Sequence, residues 1–245
     1  MLVQWISDHM LKLNVKKCKS LLVSRRRIPV CSQSVLVNGQ PLEKMQSYRY
    51  LGVLISSDLS WSCHISSISS KAKKQMGMLY RRFYRDTDPS TLRMLYVTQV
   101  RPLLEYAVPV WDPYLVKDVQ ALEAVQRFAT KVCTKCWEGS NYSERLQTLN
   151  LTTLQARRQF LKLAFLFKLI NNLVDFPNSI TFRPNLCATR SHSLTLNVPF
   201  ARTEYLYNSF FCQAPRLWNG LPSEVVSATS ITSFKRAYNA TILPQ

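Results

Sequence analysis

Glycine and acidic residues are scarce in this sequence of 245 residues, which contains five glycines and 14 aspartates and glutamates. Neither glycine-rich phosphate-binding pattern, G-x-G-x-x-G or G-x-x-x-x-G-K-[ST], occurs in it. No two acidic residues are adjacent, and the closest pair, Asp86 and Asp88, precedes a proline as a helix cap would. Because two-metal phosphoryl transfer requires clustered carboxylates, the sequence shows no complete nuclease or polymerase site.

Long apolar runs are also lacking. The longest, over 161–170, is interrupted by Lys162 and Lys168 and is too short and too charged to cross a bilayer. No uninterrupted apolar stretch of the signal-peptide kind follows Met1. The seven cysteines are odd in number and scattered. We therefore expect an intracellular protein with reduced thiols and no membrane partner, and the choice between nucleus and cytoplasm stays open.

Positive charge is abundant: 32 lysines and arginines give a net charge of +18. Residues 1–85 contribute +12 of this, which indicates a surface that faces phosphates. A solvated helix face, and for the arginine run 25–27 a solvated turn, remain the alternatives. The basic candidates for nucleic-acid contact are Lys12, Lys16, Lys17, Lys19, Arg25, Arg26, Arg27, Lys71, Lys73, Lys74, Arg81 and Arg82.

The patterning predicts an α+β protein that is predominantly α. Apolar spacing predicts a first helix over 1–13, and short β-favouring runs at 21–23, 35–37 and 48–55 predict a small sheet. Helical spacing dominates from residue 58, while 194–200 alternates as a strand does. We divide the chain into 1–57, 58–175 and 176–245, the last being a mixed C-terminal region.

Several helix starts are predicted from capping residues. Asp88-Pro89 and Asp112-Pro113 each combine an N-cap residue with a proline at the first helical position. Ser143 is expected to cap a short helix, and Thr152 or Thr153 a longer and central one.

Cys133-x-x-Cys136 is the one pattern that suggests a metal. A structural zinc site needs four ligands, and the nearest other candidates are Cys187 and His192, about 50 residues further on. The pair also ends an apolar helical stripe, so we expect buried free thiols, with metal binding as the alternative. His9, His64 and His192 have no nucleophile context, and each is expected to be a surface histidine or a hydrogen-bonded structural one.

A series of segments, in order along nearly the whole chain, resembles one family. These are 11–19 (LKLNVKKCK), 50–53 (YLGV), 57–64 (SDLSWSCH), 100–107 (VRPLLEYA), 110–113 (VWDP), 122–127 (LEAVQR), 189–193 (TRSHS), 218–226 (WNGLPSEVV) and 233–235 (SFK). They resemble the C-terminal part of the reverse transcriptase of non-LTR (LINE-type) retrotransposons.

The resemblance implies a role for each part of the chain. Residues 1–57 would be a remnant of the polymerase palm, and 58–175 a helical thumb that holds template–primer duplex. Lys17, in Asn14-x-x-Lys17, would be the remnant general acid that assists pyrophosphate departure. Tyr50, Leu51 and Gly52 would form the turn that grips the primer strand.

In that family, the metal-binding aspartates precede the helix that here begins at Met1. The resemblance therefore implies a truncated RNA-directed DNA polymerase that is inactive alone and holds no cofactor. Mg²⁺ is implied only for the intact family enzyme. The expected partners are RNA–DNA hybrid or duplex nucleic acid and the missing polymerase portion. Two alternatives stay open: a helical protein-interaction module reused by the host, and a non-functional transposon relic.

Overall fold

The computed structural model describes residues 8–10, 14, 17–24, 34–37, 39–175 and 194–242. The predicted helix over 1–13 and the arginine run 25–27 therefore lie wholly or largely outside the described residues. The chain divides into two compact units, 1–67 and 68–245, and each is described by itself.

The described residues of unit 1 form three two-stranded sheets. Strand β1 (Lys19–Leu21) pairs in parallel with β4 (Glu43–Met45), and β2 (Leu36–Val37) pairs antiparallel with β3 (Gln40–Pro41). Strand β5 (Ser47–Tyr50) pairs antiparallel with β6 (Val53–Ser56). These small sheets near the N-terminus, followed by helices, confirm the predicted α+β, predominantly α class.

The run 48–55 was predicted as one strand but is a hairpin. Leu51 and Gly52 form its two-residue turn with φ of 45° and 86°. Two positive φ angles define the type I′ turn, whose twist matches that of the flanking strands. Leucine is uncommon in that conformation, which is why the residue types alone do not indicate a turn here.

Helix α1 (Ser62–Phe83) starts in unit 1 and continues in unit 2. Helical spacing predicts one apolar stripe in this segment, and all of its residues except Phe83 are buried; the stripe consists of Ile65, Ile68, Ala72, Met76, Leu79 and Phe83. Helix α2 (Pro89–Leu95) follows, and Asp88 caps it by accepting a hydrogen bond from the Thr91 amide at 3.0 Å. The Asp88-Pro89 prediction is therefore confirmed.

A π-helical turn (Tyr96–Val100) joins α2 to α3 (Arg101–Glu105). Proline at position 102 has no amide hydrogen, and its ring crowds the preceding turn of a regular helix. The π-turn widens the helix just before this proline, so the chain stays helical through Pro102. Helix α4 (Val108–Trp111) then begins after Ala107, which has a φ of 55°.

The remaining helices correct some predicted starts and confirm others. Helix α5 (Val116–Thr134) begins after Leu115, so the Asp112-Pro113 start is wrong. Helix α6 (Tyr142–Thr148) is capped by Asn141, with Glu144 completing a capping box, rather than by Ser143. Helix α7 (Leu154–Ile170) is capped by Thr153, as one of the two predicted residues.

Over 194–242 the structure describes four shorter helices: α8 (Glu204–Asn208), α9 (Phe210–Asn219), α10 (Ser223–Val226) and α11 (Ile231–Ile242). Helices α9 and α11 pack on α7, which agrees with the prediction of a central helix. The largest side chains of this core are Phe160, Phe167, Phe210, Trp218, Phe234 and Tyr238. Among the described residues, no helix combines the length and apolar character needed to cross a membrane.

The predicted strand over 194–200 does not form. The Asn219 side chain instead accepts from the Leu196 amide at 2.8 Å and donates to the Leu196 carbonyl at 2.9 Å. This amide satisfies both backbone groups that a neighbouring strand would otherwise satisfy. The segment with the alternating apolar pattern is therefore held in place by a side chain of α9.

Candidate nucleic-acid interface

Five of the predicted contact residues lie on α1 and are exposed: Lys71, Lys73, Lys74, Arg81 and Arg82. At 100° per residue, Lys74 and Arg81 point directly away from the buried stripe. Lys71 and Arg82 lie on one flank, and Lys73 lies on the other. We call these five residues the α1 basic face.

The α1 basic face has no acidic neighbours along its helix, since residues 59–85 contain no aspartate or glutamate. In the described part of the chain, none of its five side chains forms an ion pair. From Lys71 to Arg82 the helix rises about 16 Å. That length covers several phosphates of a duplex strand, each of which occupies about 3.4 Å of the axis.

The unit 1 candidates occupy two places. The Lys17 amide donates to the Asn14 carbonyl at 3.0 Å, and Lys17 is exposed. Lys19 is half-buried and its ammonium pairs with the Glu43 carboxylate. Because a lysine engaged in an ion pair must break it to reach a phosphate, Lys19 is a weaker candidate than Lys17.

The hairpin tip carries the other unit 1 candidates. Tyr50 and Leu51 are exposed, with Leu51 at 73%. Arg49 supports the turn by donating to the Gly52 carbonyl at 3.3 Å, and it also donates to the Ser67 hydroxyl at 3.1 Å. The tip therefore presents one aromatic ring and one strained leucine. The remaining candidates lie outside the described residues: Lys12, Lys16, Arg25, Arg26 and Arg27.

Two polar residues of the family-like segments in unit 2, Glu123 and Gln126, are buried and hydrogen-bonded within the fold. Gln126 accepts from the Tyr96 hydroxyl at 2.7 Å and donates to the Tyr142 hydroxyl at 3.0 Å. Glu123 accepts from that same Tyr142 hydroxyl at 2.7 Å and from the Gln155 amide at 3.0 Å. Burial, and then the Glu123 charge, raise the pKa of Tyr142, so it stays a donor.

Two further acids in these segments pair with α7. Arg157 makes a bidentate contact with Glu105, both N–O distances being 2.9 Å. Asp112 accepts from Arg158 at 2.7 Å and also from Lys162, which in turn donates to Gln213 of α9. Burial lowers the pKa of Lys162, against the opposing effect of Asp112. These acids hold helices together.

His64 is buried at the start of α1, as expected of a structural histidine. Its Nδ1 accepts a hydrogen bond from the Leu54 amide at 3.2 Å. Burial, and then the positive charge of Arg49, lower the pKa of His64 to about 4. His9 is exposed, and His192 lies outside the described residues.

Cys133 and Cys136 are free thiols in different surroundings. Cys133 is fully buried, and burial raises its pKa to about 12. Cys136 is half-exposed and its thiol contacts the Glu138 carbonyl at 3.0 Å, so the prediction of burial holds for the first cysteine only. Across the described ranges, no three His, Cys, Asp or Glu residues are grouped closely enough to hold a metal.

Sequence reasoning missed two features near the end of α1. Arg85 is exposed just beyond the helix and extends the row of cations. Trp137 contacts Tyr84 from 53 residues further along the chain, donating its indole N–H to the tyrosine hydroxyl at 2.7 Å. A pattern search along the sequence does not join such distant residues, although an exposed tryptophan beside basic residues is a usable signal.

The comparisons with known proteins yield one distant relative. Uncharacterized protein B0403.1 of Caenorhabditis elegans is 27% identical over 130 residues, which cover 52% of this chain and 65% of that protein. The chain thus matches slightly less than two thirds of that relative's length. No family profile matches the sequence, and no solved structure matches it.

Proposed function

We propose that this chain binds duplex nucleic acid, RNA–DNA hybrid included, through the sugar–phosphate backbone. The observation that carries the proposal is the α1 basic face, an exposed row of cations opposite a buried stripe and without an acidic residue over 59–85. Basic rows of this kind neutralise phosphates and release counterions, which makes affinity salt-dependent but not sequence-dependent.

We further propose that the helical part of this chain derives from the thumb of a non-LTR retrotransposon reverse transcriptase. The ordered family-like segments support it, and so does the succession of small sheets and helices. The chain would contribute binding rather than chemistry, since its acids at Glu105, Asp112 and Glu123 are engaged in structural hydrogen bonds. Lys17, exposed at its turn, would be a phosphate contact.

The test is direct binding to blunt 24-base-pair duplexes of two unrelated sequences, DNA–DNA and RNA–DNA, measured by fluorescence anisotropy between 50 and 200 mM salt. We expect similar affinities for both sequences and a fall of about 10-fold or more over that salt range, from several phosphate contacts. A folded chain that ignores duplex at 50 mM salt would contradict the proposal and favour the protein-interaction alternative.

A further inference from the structure

An aromatic cluster lies where α1 ends against the segment between α5 and α6. It consists of Tyr80, Tyr84, Phe128 and Trp137. The Trp137 ring centroid is 6.0 Å from that of Tyr80, 6.3 Å from Tyr84 and 6.1 Å from Phe128. The interplanar angles are 78°, 70° and 61°, so all three rings meet the indole edge to face.

Trp137 is nevertheless an exposed residue. It is 41% accessible, whereas Trp111 and Trp218 are buried. Within the described residues, no aromatic ring lies parallel against it. Its N–H is fixed by the Tyr84 hydroxyl, so the ring is held in one orientation while part of its surface faces solvent. A rigid, accessible aromatic surface is suited to stacking with a flat ligand.

A residue with a left-handed backbone conformation, Lys135, lies two positions before Trp137. Lys135 ends α5 in the left-handed region with a φ of 54°, and this turns the segment back towards α1. The Lys135 ammonium donates to the Arg85 carbonyl at 3.2 Å and lies 5.7 Å from the Tyr84 ring centroid. One lysine thus ties the loop to the end of α1.

Cations predominate around the cluster. Arg81, Arg82 and Arg85 are exposed on the same turns of chain as the two tyrosines, and Lys135 is exposed beside them. The neighbouring acids along the chain are Asp86 and Glu138, which leave a positive excess. This excess repels cationic ligands, although aromatic rings alone would attract them. The ligand that fits both properties has a flat aromatic surface and negative charge.

We infer that the aromatic cluster stacks an unpaired nucleobase, so that the chain recognises a single-stranded segment next to the duplex held by the α1 basic face. A nucleotide combines the π surface with the phosphate that these surroundings require. The inference rests on the proposed function and adds that part of the bound nucleic acid is single-stranded. Trp137 is the stacking residue, and Tyr84 is its positioning residue.

The experiment compares a blunt duplex with the same duplex carrying a ten-nucleotide thymidine overhang. For the natural chain, we expect the overhang to tighten binding by about 5- to 100-fold, the range that one aromatic–base stack supplies. Trp137→Leu keeps an apolar side chain without a π surface and should remove most of that gain. Trp137→Phe should retain part of it, and neither variant should change blunt-duplex affinity.

Quenching of tryptophan fluorescence by a ten-nucleotide thymidine strand is the second readout. We expect quenching in the natural chain and weaker quenching in Trp137→Leu, whereas Trp5→Leu or Trp61→Leu should leave the quenching unchanged. Trp111 and Trp218 are buried. Equal affinities for the blunt and overhung duplexes, without quenching, would overturn this inference and leave duplex binding intact. Quenching by the single strand without any duplex binding would overturn the proposed function and leave the stacking site standing.

Discussion

Arg158 donates from its Nε to Oδ1 of Asp112 at 2.7 Å, and this contact fixes the end of α4 against the middle of α7. The guanidinium is almost completely buried, as is the ammonium of Lys162 that shares the same carboxylate. One buried carboxylate therefore neutralises two cations. Nη1 of Arg158 has no hydrogen-bond partner within the described structure, so Asp112 provides the principal compensation for its charge.

Asp112→Asn should destabilise the fold strongly. The substitution leaves two buried cations without a carboxylate, and breaking such a pair from one side costs about 3–5 kcal/mol. Urea denaturation is the measurement. Asp86→Asn, at an exposed aspartate, is the control and should stay within about 0.5 kcal/mol of the natural chain. Equal stabilities of the two variants would show that Asp112 does not compensate these charges.

Lys162→Met should cost less than Asp112→Asn. It removes one of the two cations and keeps the Arg158 contact, while the methionine fills similar apolar volume. The same denaturation series measures it. A larger loss than that of Asp112→Asn would mean that the bond from Lys162 to Gln213 matters more than the charge balance.

The His64 pKa predicts a pH-dependent stability. The pKa is about 4 in the fold and near 6.5 when unfolded, so the unfolded chain binds more protons between these values. Stability from this group is complete above about pH 6.5 and is lost as the pH falls towards 4, by up to about 3 kcal/mol. Burial of the imidazole is the main cause, and the positive charge of Arg49 adds to it.

Comparing the natural chain with His64→Asn isolates this effect. Asparagine accepts the same hydrogen bond but does not titrate in this range. The free energy of unfolding should fall more steeply for the natural chain between pH 7 and 5. If the unfolding free energies of the two proteins change in parallel with pH, His64 has the same pKa in the folded and unfolded chain.

Leu51→Asn should stabilise the hairpin by about 1 kcal/mol, because asparagine tolerates the positive φ that leucine resists. If the tip contacts nucleic acid, the same change should weaken duplex binding. Leu22→Asn is the matched control, since Leu22 is an exposed leucine whose φ is not positive. If Leu51→Asn leaves the duplex affinity unchanged, the hairpin tip is not part of the nucleic-acid interface.

Cys133 should resist alkylation in the folded chain. Burial keeps its thiol protonated with a pKa of about 12, and the thiolate is the reactive form. Cys63 is exposed and should react with iodoacetamide at pH 7.5, as mass spectrometry of tryptic peptides would show. Prompt labelling of Cys133, or its protection only when zinc is present, would contradict the assignment as a buried free thiol.

Local features were predictable from the sequence, and distant pairings were not. The buried stripe of α1 follows from spacing, and the starts at Asp88 and Thr153 follow from side chains that bond within three residues. Asp112 has the same local pattern as Asp88, but its partners lie 46 and 50 residues away, and tertiary pairing decides its role.

In the candidate site, too, the residues that share one helix were predictable and those that meet from distant parts of the chain were not. The α1 basic face could be predicted because its residues share one helix, and their exposure agrees with that prediction. The aromatic cluster could not, since it joins α1 to a loop more than 50 residues away. A turn at Tyr50, Leu51 and Gly52 was expected from the family resemblance only; the residue types did not indicate it, because leucine, which adopts the positive φ, is not a usual turn former.

Charge removal from α1 tests the central claim most directly. The triple variant Lys71→Gln, Lys74→Gln, Arg81→Gln is compared with Lys117→Gln, Lys168→Gln, Lys235→Gln, which removes equal charge from exposed positions on three other helices. Duplex affinity is measured from 50 to 200 mM salt. We predict that the slope of log affinity against log salt becomes shallower by about 2–3 for the α1 variant and does not change for the other triple variant. Equal slopes for both triple variants would contradict binding through the α1 basic face.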